Sequence, residues 1–144
     1  MDDCKNSPAS KKLNLLIVDD EPDMLHFARV FFVKGGYEVF TAESGLEALD
    51  LIRRHNIDMI ITNIKMPGMD GMELLREVNK VKPQMIKIIL SGGLTLDRIK
   101  EAIRLGCRAY IAKPIEIDEL RATVNKVSVS PGIEGTILLS CLAD

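Results

Sequence analysis

After a polar arm, apolar positions return in five blocks, and each block reads as a strand followed by a helix. LNLLIV (Leu13–Val18) is a nearly unbroken apolar run that ends at Asp19 and predicts a first strand. Leu25, Ala28, Phe31 and Phe32 then recur at helical spacing until Gly35-Gly36 stops the helix. YEVFTA (Tyr37–Ala42) alternates apolar and polar residues, the pattern of a half-exposed edge strand. Ser44-Gly45-Leu46-Glu47 predicts a capping box that opens the second helix. Asp58–Asn63 reads as a third strand, apolar on both faces through Met59, Ile60 and Ile61.

Leu74, Leu75, Val78 and Val81 mark a third helix, beginning near Asp70 and closed before Pro83. Met85–Leu90 is the fourth strand, and Leu96, Ile99 and Ile103 mark a fourth helix ended by Gly106. Ala109–Ala112 is a short fifth strand, and Ile117, Leu120, Val124 and Val127 give a last helix. Five such units with doubly apolar central strands predict an α/β fold, a doubly wound five-stranded parallel sheet with helices on both faces. The expected division is an arm over 1–11, one domain over 12–127 and a tail over 128–144. In that tail Pro131, Gly132 and Gly135 argue for a linker, and TILLSCLA stays open between a short packed strand or helix and the start of a further element.

Composition narrows the class. With 47% apolar and 28% charged residues, a chain of 144 residues buries a real core and is not a disordered segment. A net charge of −2 supplies no basic field for nucleic acid or an anionic membrane. Cys4, Cys107 and Cys141 show no C-x-x-C spacing, so reduced thiols in a cytoplasm are expected. MDDCKNSPASKK lacks the apolar stretch of a signal peptide, and no run approaches the ~20 apolar residues that span a bilayer.

In parallel sheets of this kind the functional crevice lies beyond the carboxyl ends of the strands. Reading only those ends collects Asp19-Asp20-Glu21, Asn63, Ser91 and Lys113. Adjacent carboxylates repel each other and call for a cation, and oxygen ligands with room for water suit Mg2+. The plainer reading is that Asp20 or Glu21 caps the helix starting at Pro22. Lys113 is suited to neutralising a carboxylate or phosphoryl oxygen, although a surface lysine is the commoner case. The Lys113-Pro114 bond is open to either isomer, and Ser-Gly-Gly at 91–93 is by itself a turn. No phosphate loop, no G-x-G-x-x-G after the first strand and no G-x-S-x-G elbow is present, and His26 and His55 fall within predicted helices.

Taken in order, IVDDEPD, ITNIKMPGMDG, ILSGG and AYIAKP on these strand ends resemble the receiver domain of two-component response regulators. The resemblance covers roughly Lys12 to Val127 and implies a flavodoxin-like sheet of order 2-1-3-4-5, an order that comes with the family and not from these residues. It implies a phosphorelay switch in the cytoplasm, with a sensor histidine kinase or phosphotransfer protein as donor. The effector or dimer partner would dock on the face of the fourth helix, fifth strand and fifth helix. Asp19 and Asp20 match the acidic pair that holds Mg2+, and the backbone carbonyl of Lys65 matches a third ligand. Lys113 matches the lysine on the phosphoryl oxygens, Ser91 the hydroxyl that turns toward them, and Tyr110 the aromatic that moves with it. Read without the family, Tyr110 is a half-buried edge-strand tyrosine.

One position departs. Asn63 stands where the family has its phosphoacceptor aspartate. An amide oxygen is a poor nucleophile at neutral pH, so phosphorylation should be blocked. The cluster keeps one net negative charge instead of two, which weakens Mg2+ binding. An engineered aspartate-to-asparagine change and a naturally degenerate receiver that signals by binding alone both fit. Two other readings stand beside the receiver. One is a Mg2+-dependent phosphatase or phosphotransferase on a similar scaffold, with Ser91 or Thr62 as nucleophile. The other is a partner-binding domain independent of phosphorylation.

Overall fold

Leu15, Leu16, Ile17 and Val18 are four successive buried residues, an arrangement that requires a sheet covered on both faces. They form most of β1 (Asn14–Val18) in a computed structural model that describes residues 13–129 and 138–139. The expected arm over 1–11, Cys4, Cys141 and most of the 128–144 tail lie outside the described residues. The chain continues through α1 (Pro22–Lys34), β2 (Glu38–Ala42), α2 (Gly45–Arg54), β3 (Met59–Asn63) and α3 (Gly71–Val81). Then come β4 (Ile86–Ser91), α4 (Leu96–Arg104), β5 (Ala109–Ala112), α5 (Ile117–Val129) and β6 (Leu138–Leu139).

The strand order is β2-β1-β3-β4-β5-β6, every pair parallel. The five expected strands therefore sit in the expected order. A sixth of two residues is added outside β5, where Leu138 and Leu139 pair with Ala109 and Tyr110. Alternate side chains of each strand divide the core in two. Leu16, Val18, Ile60 and Ile89 pack with Ala48, Leu49, Leu74, Leu75, Val78 and Ala102 of α2, α3 and α4. Leu15, Ile17, Met59, Ile61 and Ile88 pack with Leu25, Ala28 and Phe32 of α1 and Leu120 and Val124 of α5. Each of the Leu, Ile, Val, Met and Phe side chains withdrawn from water contributes about 1.5–3 kcal/mol. This two-sided core holds the carboxyl ends of β1, β3, β4 and β5 along one edge.

Two helix starts differ from the expectation. Ser44 Oγ accepts from Glu47 N (3.2 Å), but Glu47 Oε1 reaches Glu43 N (2.8 Å), so the expected box is only half formed. The complete box lies at α3, where Asp70 Oδ1 accepts from Glu73 N (2.9 Å) and Glu73 Oε1 accepts from Asp70 N (3.0 Å). At α1 neither Asp20 nor Glu21 is the cap: Glu21 occupies the N-cap position without a side-chain bond. Its N–H donates instead to Asp19 Oδ1 (3.0 Å). The helix start is thus tied to the first acid of the cluster.

At the opposite end of the sheet, the buried Lys87 ammonium donates to the carbonyls of Pro83 and Met85, both at 3.0 Å. Burial pushes the nearby Cys107 thiol from 9.0 up to about 12, with Lys87 opposing. The folded chain therefore keeps a proton that the unfolded chain loses, so this group's contribution to stability falls as pH rises from about 9 to about 12. Because the thiolate is the reactive form, native Cys107 at pH near 8 should label with a maleimide far more slowly than in urea. Peptide mapping separates it from Cys4 and Cys141; equal labelling rates would contradict the buried assignment. Among the described residues no helix is long and apolar enough to cross a membrane.

Candidate functional site

Asp19 follows β1 directly and is completely buried. A carboxylate at that depth needs compensation. Lys113, one residue past β5, supplies it with Nζ 3.3 Å from Asp19 Oδ2, and Glu21 N supplies a second donor. Lys113 N also donates to the carbonyl of Ser91 (2.8 Å), which fixes the lysine to the end of β4. The Lys113-Pro114 bond is cis. Asp20, the next acid, is exposed.

Asn63 is the last residue of β3 and is 7% exposed. Its Nδ2 donates to the carbonyl of Lys65 (2.9 Å) and, at 3.4 Å, to Asp20 Oδ1. The reverse orientation of the amide would set its oxygen against a carbonyl and a carboxylate, so the hydrogen bonds themselves decide which end is nitrogen. The backbone then turns through Met66, Pro67 and Gly68, with Gly68 at φ +75, into α3. Ser91 ends β4; its Oγ donates to the carbonyl of Gly93 (2.9 Å) and accepts from Gly93 N (3.1 Å). Tyr110 is buried on β5, with its hydroxyl 3.5 Å from the carbonyl of Ser91.

The contacts form two sets, Asp19 with Lys113 and Asn63 with Asp20 and the Lys65 carbonyl, joined through the adjacent acids Asp19 and Asp20, and Ser91 joins through the backbone of Lys113. Tyr110 reaches the cluster only as far as the Ser91 carbonyl. Among the described residues neither candidate nucleophile is hydrogen-bonded to a base. Thr62 Oγ1 is buried and donates to the carbonyl of Asn63 (3.0 Å), and Ser91 Oγ is engaged with main-chain atoms of Gly93. The phosphatase reading therefore lacks an activated nucleophile. One structural residue escaped the sequence pattern. A methyl at Gly71 would overlap the carbonyl oxygen of Asn63 and lie 2.8 Å from Ile64 Cα. The only signal for it was a glycine directly after the Asp70 cap.

Asp19, Asp20 and the Lys65 carbonyl are the oxygen types that Mg2+ takes, with few protein ligands and room for water. Among the described residues no group of three or more acidic, histidine or cysteine side chains gathers for a metal. The Asn63 amide also points N–H groups at two of these three oxygens. The set fits the ion in ligand type, and the amide opposes it in charge and direction.

The family profile described as "Response regulator receiver domain" matches residues 15–125. Sporulation initiation phosphotransferase F of Bacillus subtilis (strain 168) is 38% identical over 112 residues, covering 78% of this chain and 90% of that protein. Transcriptional regulatory protein GlrR of Escherichia coli (strain K12) is 36% identical over 115 residues, 80% of this chain; the match spans only 26% of that longer protein. Among solved structures, a CheY-like response regulator receiver domain from Methanospirillum hungatei JF-1 superposes with a TM-score of 0.77 at 31% identity, covering 81% of this chain and 93% of that one.

Proposed function

The chain belongs to the response regulator receiver family, and from that premise we propose that it is a receiver whose acceptor position binds but does not react. Receivers are signalling modules that interact with histidine kinases or phosphotransfer proteins and with effector domains. In this reading residues 12–127 form the module, with the 1–11 arm and the 128–144 tail outside it, and it works in the cytoplasm. Asn63 stands at the acceptor position, Lys113 and Ser91 would contact a phosphoryl group, and Tyr110 is the switch residue. Asp19, Asp20 and the Lys65 carbonyl would hold Mg2+, which in receivers offsets phosphoryl charge.

The observation that carries the reading is the Asn63 amide. Its Nδ2 is engaged with the Lys65 carbonyl and Asp20, so the group at the strand tip is a donor where phosphotransfer needs an anionic acceptor. Asp19 and Lys113 meanwhile compensate each other without a phosphoryl group. Such a module responds to partners that favour one of its conformers, through the face of α4, β5 and α5, on which Tyr110 sits.

A phosphorylated histidine phosphotransfer protein tests this. Titrated with the chain, it should give a saturable complex while its label stays on histidine. Stoichiometric transfer of the label to the chain would overturn the reading.

A further inference from the structure

β5 has β4 on one side and the two-residue β6 on the other. We propose that the outer edge of β5 is a docking site for an extended segment, and that the chain's own Leu138–Leu139 occupies it. In that role β6 is a strap that has to leave before a partner strand reaches β5.

The two sides of the sheet are built differently. β2, at the far side, opens on the exposed Glu38, and Arg29 Nη1 donates to its Val39 carbonyl (3.2 Å). A charge in the strand and a charged side chain bonded to its main chain are means by which an edge resists pairing. β5 reads AYIA, without a charge, a proline or a glycine. Such an edge is a template for another strand. β6 meets it in parallel, Leu138 in register with Ala109 and Leu139 with Tyr110. The sequence β5-α5-β6 continues the strand, helix and parallel strand order of the units before it. The apolar run TILLSCLA carries β6, and the turn residues Pro131, Gly132 and Gly135 precede it.

The paired stretch is two residues long, against five between β1 and β2. So short a contact opens without dismantling the sheet, because β5 keeps β4 as its neighbour. An incoming strand would need the same main-chain groups of β5, so only one of the two is seated at a time. Tyr110 is one of the paired residues and belongs to the face of α4, β5 and α5. The consequence for signalling rests on the proposed output role of that face; occupation of the edge does not.

Residues 130–137 tether β6 to α5, and a short tether gives an effective concentration on the order of mM. For the strap to be seated most of the time, the same segment as a free peptide has to bind the vacant edge with Kd about 1 mM or tighter. Leu138→Pro with Leu139→Pro vacates the edge. Successive N–H groups of a strand point to opposite sides, so the pair of prolines removes the one directed at β5. In the full chain carrying both, amide exchange in β5 should speed up by about tenfold or more, while β1 and β3 exchange as in the parent.

A synthetic peptide of residues 134–144, added to that variant and followed by 15N NMR, should restore β5 protection saturably with Kd about 1 mM or tighter. A scrambled peptide should not, and the parent should need several times more of the true peptide. Leu138→Gly with Leu139→Gly, which weakens the strand without removing an N–H, gives the same order of results and decides the matter if the prolines unfold the chain. Unchanged β5 exchange, no saturable effect of the peptide, an equal effect of the scrambled one, or equal binding to the parent would overturn the proposal. Phosphoryl transfer to the parent would overturn the binding-only reading of the receiver and leave all of these results as they are.

Discussion

Incubated with Mg2+ and a small acyl phosphate, Asn63→Asp should take up one phosphoryl group at position 63, while the chain as it stands keeps its mass. The change replaces an amide by a carboxylate of nearly the same shape at a position that is already buried and held. A carboxylate oxygen attacks phosphorus in line, the new O–P bond forms, and the donor leaves as a carboxylate. Lys113, now paired with Asp19 at 3.3 Å, is placed at the cluster to meet the developing phosphoryl charge.

The same substitution removes the N–H donors from Asp20 Oδ1 and the Lys65 carbonyl and adds a third anionic group. Mg2+ affinity should therefore rise by at least about tenfold, since a unit charge added a few ångströms from a cation is worth more than the ~1.4 kcal/mol that a factor of ten requires. Intact mass, peptide mapping and a Mg2+ titration of both forms check the two effects separately. A phosphorylated parent, or an Asn63→Asp form that binds Mg2+ more tightly yet takes no phosphoryl group, would contradict the assigned roles of Asn63 or Lys113.

The framework was legible because burial on both sheet faces leaves a plain trace. MIIT before Asn63 and LLIV before Asp19 have no polar face, so they had to be central strands with their tips at one edge. The positions of the tips follow from that rule alone. What the sequence did not carry was direction. The Glu47 carboxylate accepts from Glu43 N rather than from Ser44 N, a choice set by the local path of the chain rather than by residue type. Asp19 rather than Glu21 supplies the bond at the start of α1, because Asp19 is turned inward beside Lys113.

Gly71→Ala should destabilise the fold by about 1–3 kcal/mol, although alanine is by itself the better helix residue by about 1 kcal/mol. The reason is what its methyl would meet. It would overlap the Asn63 carbonyl oxygen and lie 2.8 Å from Ile64 Cα and 3.1 Å from the Asn63 carbonyl carbon, so every near neighbour is backbone. None can rotate away, and the backbone is held there because Gly71 N donates to the Ile64 carbonyl at 2.7 Å. The methyl fits only if the first turn of α3 moves off the end of β3, and that movement displaces Asn63 and Lys65 with it. Gly45 is the control. There the methyl would meet Met69 Sδ at 2.6 Å and Cγ at 2.9 Å, the end of a flexible side chain that can swing aside. Gly45→Ala should therefore cost no more than about 1 kcal/mol. Urea unfolding of the two variants measures the difference. Equal stabilities would mean that α3 is free to slide along the strand tip, and the geometry of the acceptor position would then not be fixed by its glycine.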